Sequence, residues 1–123
     1  MSRPSILDGT NYEYWNVCMV AFIKSMDNKA WKAVVKGWDP PMVVGLDGKA
    51  TNVVKAEEDW DDKYEKSSER NSKALNALFN GVDKNIFRLI SNYTIAKEAW
   101  DMLKISQEGT SKVKMSRLQL LTT

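Results

Sequence analysis

The sequence predicts an all-α domain, a compact bundle of five to six short helices. Apolar residues recur at spacings of three and four along most of the chain, which is the period of a helix with one buried face. Residues that break helices are concentrated in one connection, residues 37–55. Of 123 residues, 43% are hydrophobic and 28% charged, a composition typical of a globular domain with its own core. We therefore expect one helical domain over residues 1–123.

Two helices are predicted before this connection. The segment Thr10–Glu13 fits a capping box, with Thr10 as N-cap, and predicts a helix from about Asn11 to Met26. Its apolar face comprises Tyr12, Trp15, Met19, Phe22, Ile23 and Met26. A second helix is expected, with Asn28 as its cap and Gly37 as its stop. Its apolar residues are Trp31, Val34 and Val35.

The connection at residues 37–55 contains Pro40-Pro41, Gly45 and Asp47-Gly48, none of which favours a helix. We expect a plain surface loop. The alternative is a small hairpin in which residues 42–44 pair with residues 53–54 across the Asp47-Gly48 turn.

Helical spacing returns from about Ala56 to Gly81, and three further helices are expected after it. The inward face of the 56–81 helix continues to residue 82 and comprises Trp60, Tyr64, Ser67, Asn71, Leu75, Leu78, Phe79 and Val82. Asp83 is expected to cap a fourth helix, and Thr94 a fifth that ends at Gly109. The inward residues of these two helices are Ile86, Phe87, Leu89, Ile90, Ala96, Ala99, Trp100 and Leu103.

A sixth helix is predicted from about residue 110, with Val113, Leu118 and Leu121 on one side. No stop signal precedes Thr123, so we expect the chain to be a fragment truncated inside this helix.

The residue types present argue against an enzyme or a metal protein. The chain has no His and one Cys, which excludes His-based acid–base catalysis and the common zinc sites. The acidic run at residues 57–69 is interpreted as a solvated helix start rather than a cation site. We expect no catalytic residue, no cofactor and no metal. The strongest apolar stretch, Val17–Ile23, is too short to cross a membrane.

Charge and tryptophan placement supply the candidate contact residues. Basic residues outnumber acidic ones over the last forty positions, and the candidate contacts to a partner copy or to RNA are Lys104, Lys112, Lys114 and Arg117. A solvated helix surface is the alternative for these cations. Trp38, beside Pro40-Pro41, is a candidate contact anchor, whereas the other four tryptophans are expected in the core.

Five segments in order resemble one family. Leu7–Trp15 with Met19 resembles the L-x-G-x-N-Y-x-x-W-x-x-x-M opening of the Gag polypeptide of Copia-type LTR retrotransposons. The other similar segments are Trp31–Gly37, Ala74–Leu78, Ala96–Leu103, and Glu108–Lys114 with Arg117–Leu121. The resemblance runs from about Ile6 to Thr123, and plant members look closest.

This resemblance implies a capsid role. Gag of this family forms cytoplasmic virus-like particles that enclose the RNA of the element, and its capsid region is helical and related to retroviral capsid domains. The expected partner is the chain itself, and RNA would bind mainly through regions absent here, such as a zinc knuckle. The family motif residues, expected to be structural, are Gly9, Asn11, Tyr12, Trp15, Trp31, Trp100, Leu103 and Gly109.

Two other functions stay open. A domesticated Gag could serve as an adaptor or restriction protein that binds other proteins, and a helical module could bind RNA weakly through its basic C-terminal face. For the capsid hypothesis, attraction between the acidic 57–69 face and the basic 97–117 face is expected to steer contacts between copies.

Overall fold

The structure is a computed structural model and describes residues 4–108. It is mostly helical, with one small two-stranded sheet, which confirms the helical class in its coarse form. The elements in chain order are α1 (Tyr12–Met26), α2 (Asn28–Lys36), β1 (Met42–Val44), β2 (Ala50–Val54), a 3₁₀ turn (Glu57–Asp59), α3 (Asp62–Asn80), α4 (Lys84–Ile90) and α5 (residues 96–108).

Helix α1 begins where the sequence predicts, but the predicted capping box is wrong. Asn11 occupies the N-cap position, and its side chain makes no capping hydrogen bond. Thr10 instead donates its backbone N–H and its hydroxyl to Asp8 Oδ1, at 2.9 and 2.6 Å. The Asp8 carboxylate, two residues before Thr10, thus holds the Thr10 hydroxyl in a turn before the helix.

The bounds of helix α2 follow the prediction, but the predicted cap is wrong, because Asn28 is already the first helical residue. Asp27 is the N-cap and its side chain accepts the backbone N–H of Lys29 at 2.9 Å. The helix ends at Gly37, whose φ of 83° lies in the region that only glycine adopts easily. Of its predicted apolar residues, Val34 is buried, Trp31 is half-buried and Val35 is exposed.

The connection between α2 and α3 forms a hairpin, so the expected plain loop is wrong and the alternative is correct. Strands β1 and β2 pair antiparallel, with Met42 opposite Val54 and Val44 opposite Ala50 around an irregularity. Gly48 turns the chain with a φ of 80°, and Asp47 Oδ1 accepts the backbone N–H of Lys49 at 3.0 Å. Aspartate and glycine at these positions favour a reversal of the chain, and the valines on either side favour strands.

The predicted 56–81 helix is divided at its start. After the 3₁₀ turn, Trp60 is extended and Asp61 caps α3 by accepting the N–H of Tyr64 at 2.9 Å. Of the predicted inward face, Asn71, Leu78 and Val82 are buried and Tyr64 is exposed. Trp60, Ser67, Leu75 and Phe79 are partly buried. The small residues Ala74 and Ala77 are also buried, because α3 packs closely on its neighbours.

The start of α4 is confirmed, whereas the Thr94 cap is wrong. Asp83 accepts the N–H of Ile86 at 2.9 Å, as predicted. Helix α5 begins at Ala96, and the carbonyl of Ile95 accepts its first helical hydrogen bond, from Ala99, at 3.2 Å.

The inward faces of these two helices follow the prediction in part. The buried residues are Ile86, Ile90, Ala96, Ala99 and Leu103, Trp100 is partly buried, and Phe87 and Leu89 are exposed. Gly109 and the predicted sixth helix lie outside the described residues.

The core joins the N-terminal segment to the turn between α3 and α4. Leu7 donates its N–H to the Gly81 carbonyl at 2.8 Å and accepts the N–H of Asp83 at 3.0 Å. The largest fully buried side chains are Trp15, Leu7, Met19, Ile23, Leu78, Ile90, Leu103 and Val34. None of the described helices is both long and apolar enough to span a membrane.

Helices α2 and α3 run antiparallel along one side of the molecule. At one end of the pair, Lys73 Nζ lies 3.7 Å from Asp27 Oδ2. At the other end, the rings of Trp38 and Trp60 are 5.8 Å apart. The end of α2 therefore lies next to the beginning of α3.

Candidate interaction surface

The segment at residues 7–19 begins in a turn that fixes the entry to α1. Gly9 has a φ of 94°, which explains why a glycine suits this position. The Asn11 side chain spans the turn: its Oδ1 accepts the N–H of Asp8 at 3.1 Å and its Nδ2 donates to the Ile6 carbonyl at 3.0 Å. Gly9 and Asn11 therefore shape the turn that precedes α1.

Trp15 connects this motif to a distant part of the chain. Its ring is 1% exposed, and its Nε1 donates to the Gly81 carbonyl at 2.8 Å. Gly81 has no room for a side chain, because a Cβ there would collide with Met19 Cε and lie 3.0 Å from the Ala77 carbonyl. The contribution of Gly81 was missed in the sequence, where it served only as the end of a helix.

Four aromatic side chains, of which only Trp15 is fully buried, form a continuous series of ring contacts, here called the aromatic stack. Trp15 lies between Tyr12, at 6.3 Å between ring centroids, and Trp100, at 5.9 Å. Trp31 meets Trp100 edge to face at 5.3 Å, and Lys24 Nζ lies 5.9 Å from the Trp31 ring. Burial raises the pKa of the Tyr12 hydroxyl above its ordinary value of 10.0. The stack joins α1, α2 and α5.

A second long-range contact fixes the start of α5. Asn71, buried in the middle of α3, accepts the Ala96 N–H with Oδ1 and donates from Nδ2 to the Thr94 carbonyl, both at 2.8 Å. This amide therefore supplies the cap that Thr94 was expected to supply. Asn71 was predicted to be inward, but its hydrogen-bond partners lie 23 and 25 residues away and have no local signal.

These motif positions carry packing rather than reactive groups. Leu103, the last described member of the motif set, is 1% exposed against the same core. Within residues 4–108, no group of three or more His, Cys, Asp or Glu side chains is placed to hold a metal ion. Two open depressions along α3, of about 380 and 210 Å³, share Ser68 and Glu69 and are lined mainly by polar side chains.

The hairpin leaves many apolar side chains in solvent. Its exposed apolar residues are Val43, Val44, Leu46, Val53 and Val54. At its base Trp60 Nε1 donates to the Lys55 carbonyl at 2.9 Å and Trp38 packs edge to face on Trp60. Trp38 is thus half-buried rather than exposed, and its role as a contact anchor stays a prediction.

The acidic run of residues 57–69, here called the acidic segment, lies on the surface. All of its seven carboxylate side chains are exposed: Glu57, Glu58, Asp59, Asp61, Asp62, Glu65 and Glu69. None of them forms an ion pair within the part of the chain that the structure describes. Asp61 caps α3, and the remaining six face solvent.

The expected basic partner of this segment is found only in part. Lys104 is exposed on α5, but Lys97 is already paired with Asp101 at 2.7 Å. Over residues 97–108 acidic side chains outnumber basic ones by three to two, so this stretch is not basic. Lys112, Lys114 and Arg117 lie outside the described residues.

The structure instead presents a basic surface on α2 that the sequence analysis missed. Lys29, Lys32 and Lys36, here called the basic stripe, are spaced three and four residues apart and are all exposed. Helix α2 contains no acidic residue. The spacing of these lysines is visible in the sequence, whereas their shared exposure is a property of the fold.

Asp27, at the N-terminus of α2, does not offset this stripe. Its carboxylate accepts the Lys29 backbone N–H, which lowers its pKa, and Lys73 and Arg70 add to the effect. The Asp27 carboxylate therefore already has partners at the start of α2 and on α3.

Comparisons with protein-family models, with curated proteins and with solved structures find no match to this chain.

Proposed function

We propose that the chain is a structural capsid-type domain of a Gag polypeptide similar to those of plant Copia-type retrotransposons. In this proposal it has no enzymatic activity and associates with copies of itself. It contributes to cytoplasmic particles that enclose the RNA of the element, while other regions of Gag bind that RNA.

One observation carries the proposal. Three of the five similar segments, residues 7–19, 31–37 and 96–103, meet in one stack of Tyr12, Trp15, Trp31 and Trp100. Residues that recur for structural reasons are expected to meet in a core, and a motif that builds only a core favours a scaffold over a catalyst. The helical composition of the domain agrees with the fold that the resemblance implies.

The mechanism in this proposal is weak and repeated self-association. A small contact is sufficient in a shell, because many copies act together and each added contact is effectively intramolecular. The exposed hairpin and the charged surfaces of α2 and α3 supply area for such contacts, since they are not used in the core.

The direct test is the mass of the 123-residue chain by light scattering after size exclusion, from micromolar to millimolar concentration at low and high salt. We expect the mass to rise above 14.0 kDa as concentration increases. A mass of 14.0 kDa throughout would contradict self-association within this chain. Electron microscopy of the same samples would distinguish ordered assembly from irregular aggregation.

A further inference from the structure

We infer that the contact between copies is electrostatic and is made by the basic stripe of one copy on the acidic segment of another. This inference rests on the proposed function, because it names the surface through which self-association occurs. It replaces the 97–117 face expected from the sequence with a surface on α2.

The basic stripe is unsatisfied within its own molecule. Its three lysines lie on one side of α2, and within residues 4–108 no acidic side chain is paired with any of them. The nearest carboxylate in sequence, Asp27, is occupied by the Lys29 N–H and by Lys73. Three exposed cations on nine residues of helix create a positive surface that a negative partner would stabilise.

The acidic segment is its opposite in sign and is held in a defined position. It contains seven acidic residues against Lys63 and Lys66, a net charge of −5. The Trp60 ring is fixed by its hydrogen bond to the Lys55 carbonyl, and Asp61 fixes the first turn of α3. A charged surface on a fixed backbone loses less conformational entropy on binding than one on a mobile loop.

The two surfaces lie on neighbouring elements of one molecule. Helices α2 and α3 are antiparallel, and the Trp38–Trp60 contact brings the end of the basic stripe near the start of the acidic segment. Each copy therefore offers one surface of each sign, and a second copy offers the matching pair. Such an arrangement permits a reciprocal pair of contacts or a head-to-tail chain of copies.

A second copy fits this surface better than RNA does. A phosphate backbone attracted to the basic stripe would also meet the repulsion of the adjacent acidic segment. The formal net charge of the whole chain is only +2, too small to attract a polyanion by itself. A copy of the chain satisfies both signs at once.

Charge reversal with complementation tests this inference. The first variant carries Lys29→Glu, Lys32→Glu and Lys36→Glu. The second variant carries Glu57→Lys, Glu65→Lys and Glu69→Lys. We expect each variant alone to need about tenfold more protein to associate, because surfaces of one sign then face each other. An equimolar mixture of the two should associate at least as well as the unmodified chain, because one is then acidic where the other is basic.

A control reverses two exposed cations outside the hairpin, α2 and α3, with Lys84→Glu and Arg88→Glu. It is compared with Lys29→Glu and Lys32→Glu in the basic stripe, which changes the net charge by the same amount, and we expect the control to associate within about twofold of the unmodified chain. Circular dichroism of each variant checks that the helices are kept.

The outcomes separate this inference from the proposed function. If the unmodified chain associates and both reversals leave association unchanged, self-association stands and this surface is wrong. If the unmodified chain stays a monomer to millimolar concentration, both fail. If the lysine reversal abolishes binding of a short fluorescein-labelled polyuridine RNA but leaves self-association unchanged, the stripe is an RNA contact and the inference is overturned.

Discussion

The aromatic core and the 38–69 region use their apolar and charged residues in opposite ways. In the core, Leu7, Trp15 and Leu103 are almost completely buried, and the Trp15 ring nitrogen has an internal partner. In residues 38–69, the valines of the hairpin are exposed and the carboxylates have no ion pairs among the described residues. The buried residues thus build the fold, and the candidate contacts lie among exposed side chains.

The buried residues and the exposed residues therefore have separate roles. Buried core residues build a fold but do not by themselves locate a binding surface. Side chains that are exposed, apolar or unpaired contribute little to folding and are available for partners. Substitutions in the two regions should therefore affect different measurements.

The largest expected effect is in the core. Trp15→Ala removes the stacking on Trp100 and the hydrogen bond to the Gly81 carbonyl, and leaves a cavity. We expect the free energy of unfolding to fall by about 3–5 kcal/mol, measured by urea denaturation. Tyr14→Ala, on the same helix but 68% exposed, is the matched control and should change it by less than about 0.5 kcal/mol. Equal effects would mean that Trp15 does not anchor the core.

Asn71→Ala tests the long-range cap. The substitution leaves the Ala96 N–H and the Thr94 carbonyl without their partner, at a cost of about 2–3 kcal/mol in the free energy of unfolding. Hydrogen exchange at the Ala96 amide should become faster. Ser72→Ala, at the next and exposed position of α3, is the control and should leave both measurements unchanged. An unchanged Ala96 exchange rate in Asn71→Ala would contradict the cap.

Acid should weaken the fold partly through Asp27. Its folded pKa lies below the ordinary value of 3.8, so the folded protein binds fewer protons than the unfolded chain. The stabilisation is therefore complete above pH 3.8 and is lost as the pH falls through the lowered folded value. Asp27→Asn keeps an N-cap side chain without the charge. Urea midpoints measured from neutral to acid pH should fall less steeply in this variant, and equal slopes would count against the prediction.

The smallest effect is expected from the hairpin. The Lys55 N–H lies 2.8 Å from the Pro41 carbonyl, so the two ends of residues 42–54 are close and a short Gly/Ser linker can replace the hairpin. Because most of its side chains are exposed, the free energy of unfolding should change by less than about 1 kcal/mol. Loss of cooperative unfolding in this variant would show that the hairpin belongs to the folding core.

The sequence predicted features whose causes are local. Asp83 caps α4 and Gly37 ends α2 as expected, because a cap or a positive φ depends on the residue itself and its neighbours. Most inward positions of α1 were also found, since Trp15, Met19 and Ile23 recur with the helical period, whereas the predicted Met26 is exposed.

The failures have competing or distant causes. Thr10 does not cap α1 because its backbone N–H and its hydroxyl both donate to Asp8, which holds Thr10 in the turn before the helix. Thr94 does not cap α5 because Asn71 accepts the Ala96 N–H from another helix. The charges of the basic stripe and the acidic segment are visible in the sequence. Their placement side by side depends on the antiparallel packing of α2 and α3, which no local pattern encodes.

Hydrogen exchange at low and high protein concentration tests most directly whether folding and association use separate regions. We predict that amides of α2 and residues 57–69 exchange more slowly at high concentration, while amides of α1 and residues 96–103 exchange at the same rate. Slower exchange at α1 and residues 96–103, with α2 and residues 57–69 unchanged, would contradict this division of the molecule.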